Sequence, residues 1–389
     1  MLKNKPFLVI LTLILVLAGF APAQNLNWNI TGAGARAVGF GGAFIGVADD
    51  ATSVVWNPGG LATLERPEVS VVTRIVMDSF EADYTDVANN THHKITNTLS
   101  HFVFNFSSFA YPLTLGGKKL VLAAAYQRQL DFYSSQLNFE SEGGVDTFTP
   151  GLGLRLFPVM SVGAAANIWF GSASGELKPT LSWDQDFSGF NLVFGALLDF
   201  NNLESPFPLK LGASLRTPFE LEEKYAGGST NKYEMPLMIG FGASLRLGEN
   251  LTLAADYEMR MFGGSQVIPE MGNETPLSPS EEDLNQIRAG MEYLLITDLG
   301  IFPLRGGFQT VPTVFANYNK NTLVNGQYPP SDQVSGIGFA VGSGYIHERF
   351  ALDVTYSMQQ YEQENDPNQL IGTFKTVSSN ITVSGIVYF

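Results

Sequence analysis

The chain holds four histidines, His92, His93, His101 and His347, and no cysteine. None of the four has the acid-rich spacing that closes a metal site, so neither a metal nor a cofactor is expected. Without cysteine there are no disulfides and no thiolate chemistry. A hydrolase built on adjacent membrane strands would need a His-x-Ser arrangement, and none occurs, so no enzyme is expected. What remains are ions in unusual places. Arg74, Arg155, Lys210, Arg216, Arg246, Asp256, Glu258, Arg260, Arg288, Glu292, Arg305 and Asp353 all interrupt apolar segments at one parity. If that parity faces an enclosed space, these ions must pair there, because an unpaired ion away from water is costly.

The elements that carry them alternate strictly. From Leu251 to Met261 the odd positions Leu251, Leu253, Ala255, Tyr257, Met259 and Met261 are apolar, while Thr252, Asp256, Glu258 and Arg260 stand between them. One face suits lipid and the other is wet. Phe350, Leu352, Val354, Tyr356 and Met358 repeat the pattern against Asp353, Thr355 and Ser357, as do Leu237, Ile239, Phe241, Ala243 and Leu245 against Ser244 and Arg246. Counted along the chain, about fourteen such segments appear, each near the ten or so residues with which a tilted strand crosses a bilayer. They fall at 69–77, 99–112, 118–130, 147–156, 160–172, 187–200, 208–220, 233–247, 250–262, 284–296, 299–311, 334–346, 349–361 and 375–389. Short turns (115–117, 157–159, 248–250, 297–298, 347–348) interleave with long polar loops (78–98, 263–283, 312–333), the asymmetry of a membrane barrel. The fold class expected is all-β: an antiparallel transmembrane barrel of about fourteen strands with both termini on the short-turn side.

Composition agrees. Phe 29, Tyr 14 and Gly 40 with only 15% charged residues favour sheet and turn over helix. Lys3 and Lys5, an apolar run from Phe7 to Phe20, and Ala21, Pro22 and Ala23 before Gln24 have the form of a secretory leader, so residues 1–23 are expected to be removed. The formal charge is 22 minus 37, or -15. Many acids, among them Glu220, Glu222, Glu223, Glu281, Glu282 and Asp283, are expected in external loops, and no basic face exists for nucleic acid.

Residues 30–61 form the most informative stretch. It is too Gly-rich for a helix and too irregular for a membrane strand. Asp49 and Asp50 are suited to accept bonds from nearby backbone amides, and Asn57 before Pro58 favours a turn. The glycines do not give Gly-x-Gly-x-x-Gly, which argues against a dinucleotide fold. The stretch resembles the N-terminal hatch of the FadL-type outer-membrane transporters of long-chain fatty acids and other hydrophobic compounds. Ala48, Asp49, Asp50 and Ala51 match its acidic stretch, and Trp56, Asn57, Pro58 and Gly60 match its aromatic-Asn-Pro-Ala-Gly signature, with Gly59 where the family usually has Ala. The resemblance is specific across 32–61 and general across the rest.

It implies a hatch over residues 24–66 inside a barrel of residues 67–389, gated at Asp49, Asp50, Trp56, Asn57, Pro58 and Gly60, in an outer membrane. The partners it implies are a hydrophobic small molecule, membrane lipid and the barrel-assembly machinery, which reads a terminal aromatic such as Phe389 after the alternating Ile381, Val383, Gly385 and Val387. A monomer is expected. Within the barrel, Val121, Ala123 and Ala125 make an inward strip that is small and apolar; it either guides an acyl chain or seats the hatch. The inward ions either tie hatch to wall or, through Arg246 or Arg260, hold a substrate carboxylate. Phe102, Phe104 and Phe106 share one parity while Phe109 and Tyr111 share the other, which predicts a wall bulge at Ser107 and Ser108. A related alternative is a secretion-associated barrel of the PorV type, which binds secreted cargo; its N-terminal segment is matched by Gly34, Ala35, Arg36 and Ala37 and by Trp56, Asn57 and Pro58.

Overall fold

The computed structural model describes residues 32–86, 90–136, 139–179, 181–200, 208–319, 323, 328–364 and 370–389; the expected leader and residues 24–31 lie outside them. After a helix α1 (Ala35–Gly39), a helix α2 (Ser53–Trp56) and a 3-10 turn (Pro58–Thr63), the chain is strand: β1 (Glu68–Asp86), β2 (Thr91–Leu115), β3 (Lys118–Asp131), β4 (Ser134–Gln136), β5 (Phe139–Phe157), β6 (Met160–Leu177), β7 (Leu181–Asp199), β8 (Leu209–Arg216), β9 (Phe219–Tyr225), β10 (Thr230–Met235), β11 (Met238–Leu247), β12 (Leu251–Arg260), β13 (Gln266–Pro269), β14 (Thr275–Pro276), β15 (Leu284–Thr297), β16 (Gly300–Tyr318), β17 (Pro330–Ile346), β18 (Phe350–Glu364) and β19 (Leu370–Tyr388). All pair antiparallel in one sheet, and β19 closes on β1 with Val71 opposite Gly385. The barrel has fourteen strands around it, because β8 is continued by β9, β10 by β11 and β12 by β13, while β4 and β14 are hairpin extensions.

Burial is inverted relative to a water-soluble protein. Phe102, Phe190, Phe241, Leu352 and Val354 are exposed on the outside, whereas Arg260, Arg288, Arg305, Glu292 and Asp353 are buried. Such a wall is stable only where the surrounding solvent is itself apolar. The alternation that revealed it is realised along β12, where Leu253 and Tyr257 point out and Ala254, Asp256 and Arg260 point in.

Several expectations need correction. Residues 78–98 are not a loop: β1 runs to Asp86 and β2 starts at Thr91, so His92 and His93 sit on a strand. Glu220, Glu222 and Glu223 lie on β9, and Glu223 is buried, accepting from the Tyr233 hydroxyl at 2.8 Å. Strand structure also enters the other two long loops, as β13 and β14 and as the ends of β16 and β17. Beyond the bilayer a ladder can continue with polar residues on both faces, and alternation no longer marks it. Two predicted strands are interrupted, at Thr217 and Pro218 and at Pro236 and Leu237, where a proline cannot donate to the ladder. The bulge falls at Asn105: Val72 pairs with Phe106 and Thr73 with Phe104, so the parity switches there rather than at Ser107 and Ser108.

Candidate functional site

Residues 32–64 lie against the inward faces of strands around the ring. Gly34, Gly41 and Gly42 adopt positive φ (104°, 65° and 81°) where the chain enters and leaves α1. Asp50 closes a local turn, accepting from the Thr52 amide at 2.8 Å and the Thr52 hydroxyl at 2.5 Å. Trp56 donates to the Ala33 carbonyl at 2.9 Å and packs against Phe44. Asn57 is extended because Pro58 follows it, and Pro58 opens the 3-10 turn. From that position the Asn57 amide caps the turn by accepting from Gly59 N (3.1 Å), and donates to Ile45 O (2.9 Å) and to Ala196 O of β7 (3.0 Å). Gly59 runs so close to the Ala196 backbone that an added Cβ would sit 3.0 Å from its Cα, which accounts for glycine where the resembled signature has alanine. A Cβ on Gly60 would meet the Ala48 carbonyl.

The wall answers with polar groups from many strands. Asp256 of β12 accepts from the amides of Phe44 (2.7 Å) and Ile45 (2.8 Å), and Glu68 of β1 accepts from Ala51 N at 3.0 Å. Ser244 donates to Gly46 O, Thr355 to Ala35 O, Arg155 to Ala62 O and Arg216 to Val55 O, while Ser384 accepts from Ala35 N. An alternating chain of ions crosses the lumen. Lys210 meets Asp49 at 3.4 Å, Asp49 meets Arg36 at 2.5 Å, Arg36 meets Glu292 at 3.3 Å, Glu292 meets Arg305 at 2.6 Å, and Arg305 meets Asp353 at 2.5 Å. Burial alone would raise the Asp49 carboxyl, but Arg36 and Lys210 together hold it well below the usual range. Asp50, 3.8 Å from Arg36, is pushed up by its burial. Burial also disfavours the Arg36 charge, yet Asp49, Glu292 and Asp50 outweigh it and keep the guanidinium firmly protonated.

Arg260 is fully buried in a second cluster, bonded to Glu258 (2.6 Å) and Gln286 (2.8 Å), with Arg288 joining both. Beside it is a small cavity lined by Val55, Trp56, Arg216, Met238, Glu258 and Arg288, into whose surroundings the unpartnered Arg288 Nε and Arg216 Nη1 are buried. Arg246 does not join it: it is exposed at the β11–β12 turn, donating to Glu249 O at 2.9 Å. Parity was right there, but the residue lies beyond the lumen's end. Val121, Ala123 and Ala125 are buried in one apolar cluster with Phe44, Val54, Leu61 and Leu64, so the strip seats the N-terminal segment. A second apolar cluster, towards the loops, was not foreseen. Phe132, Trp169, Phe187, Tyr233 and Phe262 belong to it with Met235, inward apolar positions that break the polar-inside rule. Register would not have flagged them, since Trp169 stands opposite Thr147 and Gly189, and Phe187 opposite Gly171 and Glu223.

No family model matches the chain, and no curated protein matches it either. Solved structures do. A FadL homologue of Pseudomonas aeruginosa aligns with TM-score 0.62 at 11% identity over 92% of this chain and 99% of that one. The toluene transporter TodX of P. putida gives 0.63 at 14% over 93% and 99%, and the CymD monoaromatic hydrocarbon channel 0.57 at 13% over 93% and 98%. At such identity the likeness speaks for architecture, and in architecture the chain is a closed fourteen-stranded antiparallel barrel with the fold of the FadL-type channels.

Proposed function

We propose that the protein is an outer-membrane channel for the uptake of long-chain fatty acids or other hydrophobic compounds, with residues 24–66 acting as a hatch that moves to let them pass. The observation that carries this reading is the division of the lumen: a buried N-terminal segment held by hydrogen bonds and ion pairs, with an apolar cluster of inward aromatics on its loop side. A water-filled pore would have no use for Trp169 and Phe187 facing inward. The cavity beside Trp56 offers the spare donors of Arg216 and Arg288 to the polar end of an amphiphile, and the inward aromatic cluster offers apolar side chains to its tail. Exit is sideways into the membrane, through the wall where β2 and β3 part above the Phe106–Gln127 pair. Ligand binding opens the hatch only to the extent that it favours the open form. The similarity to a toluene transporter and a hydrocarbon channel supports a hydrophobic cargo, and a non-enzymatic role with it.

Mass spectrometry of lipids that co-purify with the detergent-extracted protein tests the reading. A fatty acid or hydrocarbon retained in near-stoichiometric amount is expected. A firmly held protein partner with no lipid would overturn it in favour of a secretion barrel.

A further inference from the structure

We propose that the cavity between the N-terminal segment and the wall is a binding site for one small monovalent anion, held by Arg216 and Arg288. It is the cavity offered above to the polar end of an amphiphile, and the inference rests on that reading only where the anion is the cargo's own head group.

The ions of the lumen fall into two groups with different balances. In the chain that crosses it, Lys210, Arg36 and Arg305 alternate with Asp49, Glu292 and Asp353, so each cation stands beside a carboxylate. Around the cavity the count differs. Arg260 meets Glu258 at 2.6 Å and Arg288 meets it at 3.3 Å, while Arg216 shares the cavity wall with Glu258 and Arg288. Three guanidinium groups thus gather round one carboxylate. Asp256, two positions before Glu258 on β12, is committed to the Phe44 and Ile45 amides, and counting it as well still leaves one positive charge over among the described residues. Residues 1–31 contain no Asp or Glu to supply the difference. A buried charge without a counter-charge is costly, so one more negative charge completes the cluster.

The donors for it are in place. Arg288 is 1% exposed; its two Nη atoms bond Glu258 and Gln286, but its Nε has no hydrogen-bond partner. Arg216 gives Nη2 to the Val55 carbonyl at a long 3.4 Å and leaves Nη1 without a partner. Leaving such a donor unmet costs more than a typical bond contributes. Both side chains line the cavity, together with Met238 and Glu258 from the wall and Val55 and Trp56 from the N-terminal segment.

Size narrows the ligand. The cavity volume of about 20 Å³ is room for one water or one ion of similar size. A water meets the donors but brings no charge, whereas a halide does both. A carboxylate meets them with one oxygen, and Met238, which lines the cavity and also belongs to the loop-side apolar cluster, marks the side on which its tail lies. The shared chemistry is a single negative charge, from a free halide or from the head group of the cargo.

Trp56 reports on the site, because the Arg288 guanidinium lies 5.7 Å from its ring centre and iodide quenches indole fluorescence on contact. The detergent-extracted protein, with heat-modifiable migration confirming the barrel, is titrated with sodium iodide against sodium gluconate at constant ionic strength. A saturable quenching phase is expected above the linear, collisional one. Chloride at roughly ten times its own dissociation constant should raise the iodide needed for half of that phase about tenfold, by simple competition. Arg216→Gln should abolish the phase, and Arg216→Lys, which keeps the charge, should retain it. Quenching that is linear throughout and indifferent to chloride, or a saturable phase that persists in Arg216→Gln or in Trp56→Phe, would overturn the site. Octanoate below its micelle concentration separates the sources: relief of iodide quenching by octanoate as well as chloride assigns the site to the cargo's head group, and relief by chloride alone supports a free halide. Failure of the protein to carry any hydrophobic compound in proteoliposomes would overturn the channel reading and leave the chloride result standing.

Discussion

Replacing Asn57 by alanine is expected to free the 3-10 turn from the wall while leaving the barrel intact. Asn57 is fully buried, and its amide makes three bonds: to Ile45 O at 2.9 Å, to Ala196 O at 3.0 Å and from Gly59 N at 3.1 Å. A typical bond contributes about 1 kcal/mol net, and a buried group left without a partner costs about 1–3 kcal/mol. Backbone carbonyls have a second lone pair and tolerate the loss better than the Gly59 amide, so the sum is set at about 2–3 kcal/mol. At a factor of ten for each 1.4 kcal/mol, the population with this turn detached rises about 30- to 150-fold. Hydrogen exchange in reconstituted protein reads this directly. The amides of Gly59, Gly60 and Leu64 should exchange faster by about that factor, and ladder amides of β7 should not change. Exchange that stays the same at Gly59 and Gly60, or that accelerates uniformly around the barrel, would refute the idea that Asn57 pins a separate, movable segment.

Arg305 joins Glu292 and Asp353, so Arg305→Met takes the cation from the buried Asp353 and leaves Glu292 with Arg36 alone; a loss of about 3–5 kcal/mol is expected, visible as a lower unfolding temperature in detergent. Gly195→Ala places a Cβ onto the Asn57 amide oxygen and should reproduce the exchange pattern of Asn57→Ala without altering that side chain; an unchanged pattern would mean that the segment does not approach the wall there. Phe389 is 71% exposed with its amide bonded to Pro67 O at 3.1 Å, and its deletion is expected to lower the amount of assembled, heat-modifiable barrel in membranes.

The legible part of the sequence was the part on which the membrane imposes a rule. Leu253, Tyr257, Leu352 and Val354 had to be apolar because lipid surrounds them, so period-two alternation located both ends of β12 and the start of β18 to within a residue or two. Where β1 and β2 rise beyond the bilayer, around His92 and His93, either face tolerates polar residues and the rule vanishes although the ladder continues. The turn at Asn57 and Pro58 was readable because its cause is local: proline restricts the residue before it. The acceptor role of Asp256 was not, since it joins amides 211 and 212 positions away, and no local pattern records that pairing. Alternation also gives direction without depth. Arg246 and Arg260 share a parity, yet one is exposed beside a turn and the other is fully buried in the lumen.

The central claim is that the N-terminal segment gates a hydrophobic passage, and flux measures it. Proteoliposomes carrying the protein are loaded against a labelled long-chain fatty acid, against toluene and against a small hydrophilic dye, and initial uptake is compared between the unmodified chain and Asn57→Ala. The account predicts uptake of at least one hydrophobic compound, a changed rate for it in the variant, and exclusion of the dye by the unmodified protein. Passage of the dye with no hydrophobic uptake, or a rate indifferent to Asn57→Ala, would contradict it.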